Sequence, residues 1–295
     1  MLHYEGSWER IDSWLSLQFP YSRSFFQHIF SRWGIKVNEK VVKKSYTLKK
    51  DDQIEIDDLQ RFLSAEILDE TPDVDIPIVL EKEDYLVINK PKWVLSHPKN
   101  IRDLKDPSVT GFLHHRYKDL PTIWNFIRAW LLHRLDKNTD GLMIIAKTEK
   151  WLEHFKKLFQ EKSESESIAG KESAALKKFY RATCYLSDEG EKFLADIEEL
   201  PYYIQEMVIP KIPYPMPKMG ITKILNVKKN TDDTVTLELE ILTWRTHQIR
   251  YHLSHHGLII VGDYLYGMDE KNPMQLTAYR LEFTDPDWEK VVVEL

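Results

Sequence analysis

Apolar positions along the chain fall into two rhythms. Near the start, Ile11, Trp14, Leu15 and Phe19 recur at helical spacing and Pro20 closes the segment. Ser22 is placed to cap a second helix carrying Phe25, Phe26, Ile29 and Phe30, which Gly34 stops. Short strand patterns follow, with an Asn38-Glu39 turn and a last strand from Gln53 to Ile56. Further on, strand patterns dominate. "DYLVINKP" (84–91) is a buried strand ended by Pro91, "GLMIIAKT" (141–148) is another apolar run, and "FYRATCYL" (179–186) is strand-like. "VTLELEIL" (235–242) alternates strictly, as a half-buried antiparallel strand does, and "LIIVGD" and "YRLEF" add strands near the end. Helical patterns cover "EKWLEHFKKLF" (149–159) and "THQIRYHLSHHG" (246–257), the latter ending at Gly257. Strands outnumber helices and are not regularly separated by them. The pattern predicts an α+β protein: a mixed, mainly antiparallel sheet with flanking helices, preceded by a small αα-β module. The expected boundaries are a module over 7–60, an acidic linker over 61–75 around "DETPDVDIP", and a large domain over 76–295. Within the latter, the polar, low-complexity stretch 160–176 reads as a flexible insertion.

Charge sharpens this division. The net charge of −6 argues against nucleic-acid binding through total charge, but its distribution does not. Residues 1–50 hold nine Lys/Arg against four Asp/Glu, and residues 51–80 hold ten acids against one base. Arg23, Arg32, Lys36, Lys43 and Lys44 therefore make the N-terminal module a candidate RNA-binding surface, with a solvated basic face as the plain alternative. No stretch approaches the roughly 20 apolar residues of a membrane helix, and the first residues lack the pattern of a signal peptide. The expectation is a cytoplasmic monomer away from membranes. The single cysteine, Cys184, allows no intrachain disulfide and no multi-cysteine zinc site, and its apolar surroundings suit a core residue.

Candidate chemistry gathers around "LLHRLDKNTDGL" (131–142). Asp136 stands where an apolar segment gives way to a turn and a buried strand. It is either an ordinary turn carboxylate or a group held in fixed geometry. Arg250, in an apolar helix, is either surface-facing or the partner of a buried carboxylate. Tyr180 sits in a strand pattern typical of a core tyrosine. Arg134, two residues before Asp136, shares its face if the segment is extended. His247, His252, His255 and His256 offer metal-ligand spacing on a helix, which keeps a metal-dependent hydrolase in view. No glutamate stands in the general-base position of a zinc-protease helix.

Taken together, the ordered motifs resemble the RluA-type pseudouridine synthases. "HRLDKNTDGL" resembles the central signature, with its aspartate at Asp136. Lys178-Phe179-Tyr180-Arg181-Ala182 matches a Lys-x-Tyr-x-Ala strand, and "WRTHQIRYHL" (244–253) matches a third block. "IPIVLEKEDYLVINKP", "LIIVGDYLYG" and "LTAYRLEF" extend the likeness over nearly the whole chain. Residues 7–57 resemble the alpha-L RNA-binding domain. The resemblance implies isomerisation of uridine to pseudouridine in RNA without metal, nucleotide or organic cofactor. It makes Asp136 the nucleophile, Arg250 the residue that pairs with and orients it, and Tyr180 a wall of the base pocket. Arg134, with His133 and Arg245 beside the motifs, is expected to handle the flipped base. Ribosomal RNA is favoured over transfer RNA by analogy with members carrying an alpha-L domain.

Four positions depart from the family pattern. Trp93 and Trp244 replace usual glycines, Asp140 a serine and Thr277 a histidine. Trp244 is expected to change the turn before Arg245. A non-catalytic RNA-binding protein of the same fold is the second alternative.

Overall fold

The computed structural model describes residues 2–19, 23–32, 34–56, 65–99, 101–117, 131–164, 176–211, 216–287 and 289–295. Its contacts divide the chain into two units, residues 1–75 with 95–131, and residues 76–94 with 132–295. One break falls at 75/76. Residues 95–131, however, group with the N-terminal part and not with the span 76–295.

In the first unit, β1 (Leu2–His3) and β2 (Glu9–Arg10) precede helices α1 (Ile11–Gln18) and α2 (Arg23–Arg32). The strands β3 (Ile35–Val37), β4 (Lys40–Val42), β5 (Thr47–Leu48) and β6 (Gln53–Ile56) follow. Four of them form a sheet in the order β1-β6-β3-β4. Ile11, Leu15, Phe26 and Ile29 are buried, as helical spacing predicts. The β3–β4 turn has positive φ at both Asn38 and Glu39, the geometry that lets a two-residue hairpin follow strand twist. Ser22 lies outside the described residues. Asp12, invisible to periodicity, is fully buried at the centre of this module. It accepts from Arg10, Arg23 and Gln27. Burial works against its charge, but these donors bring its pKa down to about 2.

The expected linker is not a bare tether. Residues 57–64 lie outside the described residues, but Ala65–Glu70 forms a 3₁₀ turn with Leu68 and Thr71 buried. The Thr71 carbonyl meets His115 of helix α3 (Val109–Arg116), and His114 of the same helix meets Asp69.

The second unit is built on one large sheet. Its strands are β7 (Ile78–Glu81), β8 (Tyr85–Lys90), β9 (Asp140–Ala146), β10 (Leu176–Leu186), β11 (Tyr202–Val208), β12 (Lys218–Lys229), β13 (Thr234–Ile241), β14 (Leu258–Ile260), β15 (Leu276–Thr284) and β16 (Lys290–Glu294). The order is β11-β12-β13-β10-β15-β9-β8-β7, with β14 on β10 and β16 on β15. All pairings are antiparallel except β9 with β15. The fold is therefore α+β with a mainly antiparallel sheet, as the pattern predicts. Helices α4 (Glu149–Glu164), α5 (Asp188–Ala195) and α6 (Gln248–His255) flank it. Helix α4 seats Trp151 against Tyr85, their rings stacked at 4.3 Å, and Phe155 against Phe283. Of the expected insertion 160–176, residues 160–164 continue α4 and Leu176 is a fully buried strand residue. Residues 165–175 lie outside the described residues. Cys184 is buried in β10.

The strand β10 lies between β13 and β15, and its register slips at Phe179/Tyr180. The single parallel pair, Asp140 with Thr277 and Gly141 with Ala278, joins the strand after Asp136 to that central block. Gly141 has φ +118, and a Cβ there would stand 2.3 Å from the Ala278 carbonyl oxygen. Gly141→Ala is expected to destabilise the protein by about 3 kcal/mol or more, read as a lowered urea midpoint. An unchanged midpoint would show that the β9–β15 contact is not tight.

Candidate active site

The segment 131–139 enters a cavity of about 280 Å³ whose lining residues all belong to the second unit. Asp136, Tyr180 and Arg250, separated by up to 114 positions in sequence, all line it. Asp136 is the one carboxylate among the described lining residues, against Arg134, Lys178, Arg245 and Arg250.

The loop is held from below by a lysine. Lys90, at the end of β8, is fully buried. Its ammonium donates to the carbonyls of Pro91 (2.8 Å), Val94 (2.9 Å) and Lys137 (3.4 Å). It thus ties the residue after Asp136 to the turn that follows β8. Trp93 closes the same turn, its N–H donating to the Lys137 carbonyl at 2.8 Å. Its φ is +68, so tryptophan adopts the left-handed conformation that glycine takes without cost.

His133 anchors the loop from the other side. Its Nε2 accepts the Ile144 N–H at 3.1 Å and its ring stacks on Phe159. Burial lowers its pKa well below the ordinary histidine value, so it is neutral. An imidazole used in this way helps to hold the loop, and it also lines the cavity. Arg134 is exposed at the cavity mouth.

Arg250 is buried on α6 and meets two carboxylates. Its Nε and Nη2 donate to the two oxygens of Asp263 at 2.7 Å each, a bidentate pair. Its Nη1 stands 3.6 Å from Asp136. Burial opposes its charge, but the Asp263 hydrogen bonds outweigh that and raise its pKa. Asp263 also accepts the backbone N–H groups of Leu265 and Tyr266, at 3.0 Å each. Arg250 therefore approaches Asp136 as expected, but its tightest partner is Asp263, which sequence reading missed. The signal was available: a buried arginine needs a full carboxylate partner, and "LIIVGD" ends in one.

His247 is the second missed residue. It precedes α6 with φ +57 and places Nε2 3.6 Å from Asp136. Its Nδ1 lies 3.3 Å from the Tyr266 hydroxyl, which accepts the Lys211 N–H. A ring proton on Nε2 would point toward Asp136, with Nδ1 then accepting from the Tyr266 hydroxyl. Burial lowers the His247 pKa against the pull of Asp136.

Trp244 does not take the left-handed conformation of a glycine; His247 does. The turn is instead locked by Gln248. Its Oε1 accepts from Thr243 and the Arg245 N–H, and its Nε2 donates to Ile221 and Thr222. The Trp244 ring packs on Phe159, and the Lys178 ammonium lies 4.7 Å from each ring. Arg245 donates through Nε to the Met219 carbonyl at 2.8 Å. Tyr180 is buried, and burial together with nearby Asp136 raises its pKa, so its hydroxyl stays protonated at neutral pH.

The remaining departures meet each other. Thr277 donates to Asp140 at 2.8 Å across the parallel pair, so the two changes form one contact. The histidines beyond Arg250 tie α6 to the sheet. His252 is bonded to Thr222, and its pKa is lowered to about 4 by burial, while His255 and His256 face Glu206 at 3.5 and 2.9 Å. In the first unit, Arg23 is engaged by Asp12 and Lys36 stands 3.7 Å from Glu55. Lys43 and Lys44 are exposed, and the side chain of Arg32 lies outside the described residues.

A family model described as RNA pseudouridylate synthase matches residues 84–255, more than half of the chain. Ribosomal large subunit pseudouridine synthase D of Haemophilus ducreyi is 31% identical over 269 residues, covering 90% of this chain and 74% of that protein. An uncharacterized RNA pseudouridine synthase of Helicobacter pylori is 25% identical over 285 residues, covering 94% and 83%. Human RNA pseudouridylate synthase domain containing 1 shares the fold, with TM-score 0.55 at 22% identity over 76% of this chain and 85% of that one. The chain belongs to the RNA pseudouridylate synthase family, a class of RNA-modifying isomerases. Within that class it is of RluA type, as its motifs imply.

Burial pushes the Lys90 ammonium down to about 7, against the pull of Asp140 and Asp136. The unfolded chain keeps that proton to the ordinary value of 10.5. Between those values the unfolded state binds more protons, so this group makes stability rise with pH. Urea unfolding near pH 7 and near pH 9 should show that rise in wild type and a flatter profile in Lys90→Met. Equal slopes would remove Lys90 from the buried position described.

Proposed function

We propose that Asp136 is the nucleophile that isomerises uridine to pseudouridine in RNA, and that the RNA is ribosomal. The observation that carries this is a cationic cavity with one carboxylate among its described lining residues, approached by Arg250 and His247 at 3.6 Å each. A surplus of fixed positive charge suits a phosphate-bearing substrate. A single anion within it suits a nucleophile that must add and then leave.

The reaction conserves every atom of the nucleoside. The carboxylate adds to the sugar or to the uracil ring and the C1′–N1 bond breaks. The uracil turns, C5 bonds to C1′, the carboxylate departs, C5 loses a proton and N1 gains one. Arg250, itself fixed by Asp263, orients the carboxylate throughout. His247 directs an N–H at the same carboxylate. Tyr180, protonated, acts as a stacking wall and hydrogen-bond donor and not as a phenolate base. Arg134, exposed at the mouth, is positioned to fill the space of the extruded nucleoside, and Arg245 to meet its phosphate. Lys43 and Lys44 of the N-terminal module add phosphate contacts. The ribosomal assignment follows the similarity to ribosomal large subunit pseudouridine synthase D of Haemophilus ducreyi and of Escherichia coli.

Site-resolved pseudouridine mapping of cellular RNA tests this reading. Cells with wild-type protein should carry pseudouridines that vanish in cells with Asp136→Asn, with the variant's circular dichroism unchanged. Identical maps would mean that the protein binds RNA without modifying it.

A further inference from the structure

Beside the cavity holding Asp136 is a second, of about 250 Å³, lined by Val208, Pro210, Met216 and Trp244 with Lys218, Arg245 and Thr246. Trp244, Arg245 and Thr246 line both cavities. We propose that the second cavity is a subsite for one unpaired nucleotide adjacent to the target uridine, with Trp244 as the partition between two successive bases. The proposal rests on the pseudouridine synthase reading above and narrows its substrate to a uridine in an unstacked strand.

The chemistry of the walls supports it. An aromatic ring, a thioether and two aliphatic surfaces accept the flat face of any base. The described lining residues comprise two cations, one hydroxyl and no carboxylate, which suits a phosphate. Met216 and Lys218 are exposed, so the cavity is reachable from solvent. Arg245 is fixed by its bond to the Met219 carbonyl. Trp244 is braced by Phe159, ring centroids 4.3 Å apart, and by the Lys178 ammonium. A braced aromatic ring loses little freedom when a base stacks on it. A glycine at 244 would leave no aromatic side chain between the two cavities. Because the cavities share three residues in sequence, nucleotides bound in them are neighbours on the strand. A target flipped out of a stem breaks stacking with that neighbour, and a second stacking surface offsets part of the loss.

The test uses short RNA oligonucleotides containing a mapped target uridine, with an abasic residue on its 5′ side, on its 3′ side, or on neither. Pseudouridine formation is measured with full-length wild type, Met216→Ala/Lys218→Ala and Trp244→Gly. One abasic substrate should raise the wild-type KM roughly tenfold. The same lesion should change KM about threefold or less in either variant, because the contact is already lost. If Trp244→Gly fails to fold, the Met216→Ala/Lys218→Ala protein carries the comparison. Equal KM for all three oligonucleotides, or an undiminished tenfold penalty in that variant, overturns the subsite while leaving the catalytic reading intact. Failure of wild type to convert even the unmodified oligonucleotide overturns the catalytic reading, and the subsite with it. A shift in sedimentation of the variants with RNA kinetics unchanged overturns the subsite in favour of contact with a second copy of the chain.

Discussion

The site depends on one buried ion pair. Arg250 and Asp263 exchange two hydrogen bonds of 2.7 Å, and Asp263 holds two backbone N–H groups besides. Such a pair adds little net stability, since desolvation offsets most of the attraction. Its value is orientation. With Nε and Nη2 committed to Asp263, the guanidinium cannot rotate, and Nη1 is left facing Asp136. The loop carrying Asp136 is fixed independently, by Lys90 beneath it and His133 beside it. A carboxylate held from two directions, and itself part-exposed to a cavity, is preorganised for reaction rather than merely charged.

The strong elements were legible in sequence. Apolar alternation or continuity marked β8, β9, β10, β13, β14 and β15 but not β11, β12 or β16, and helical spacing marked α1, α2, α4 and α6. The chemistry was legible as motifs more than as physics. Asp136 alone reads as a turn residue, and Tyr180 alone as core; their convergence needs the pairing of β10 with β13 and β15, which no local pattern encodes. Lys90 and Asp12 were not legible because periodicity treats charged residues as exposed, and both are buried by donors or acceptors distant in sequence or supplied by backbone carbonyls. The grouping of residues 95–131 with the N-terminal unit was hidden for a similar reason: composition gives no sign of where an excursion from a domain will pack.

The departures from the family pattern also acquire physical meaning. Trp93 takes the left-handed backbone that glycine adopts without strain, supported by its N–H bond to the Lys137 carbonyl. Trp244 is not left-handed, and its ring lines the cavity. Asp140 and Thr277 oppose each other across the parallel pair and share a hydrogen bond. None of the four contacts the Arg250–Asp263 pair through a hydrogen bond or ion pair.

The most direct measurement of the central claim is a crystal structure of the protein bound to an RNA containing its target uridine. A flipped nucleoside in the cavity, with its sugar C1′ or uracil ring within about 3.5 Å of an Asp136 carboxylate oxygen and Arg250 still bidentate to Asp263, is the result this account predicts. A target nucleoside seated elsewhere, or an Arg250 turned away from Asp136 once RNA is bound, would contradict it.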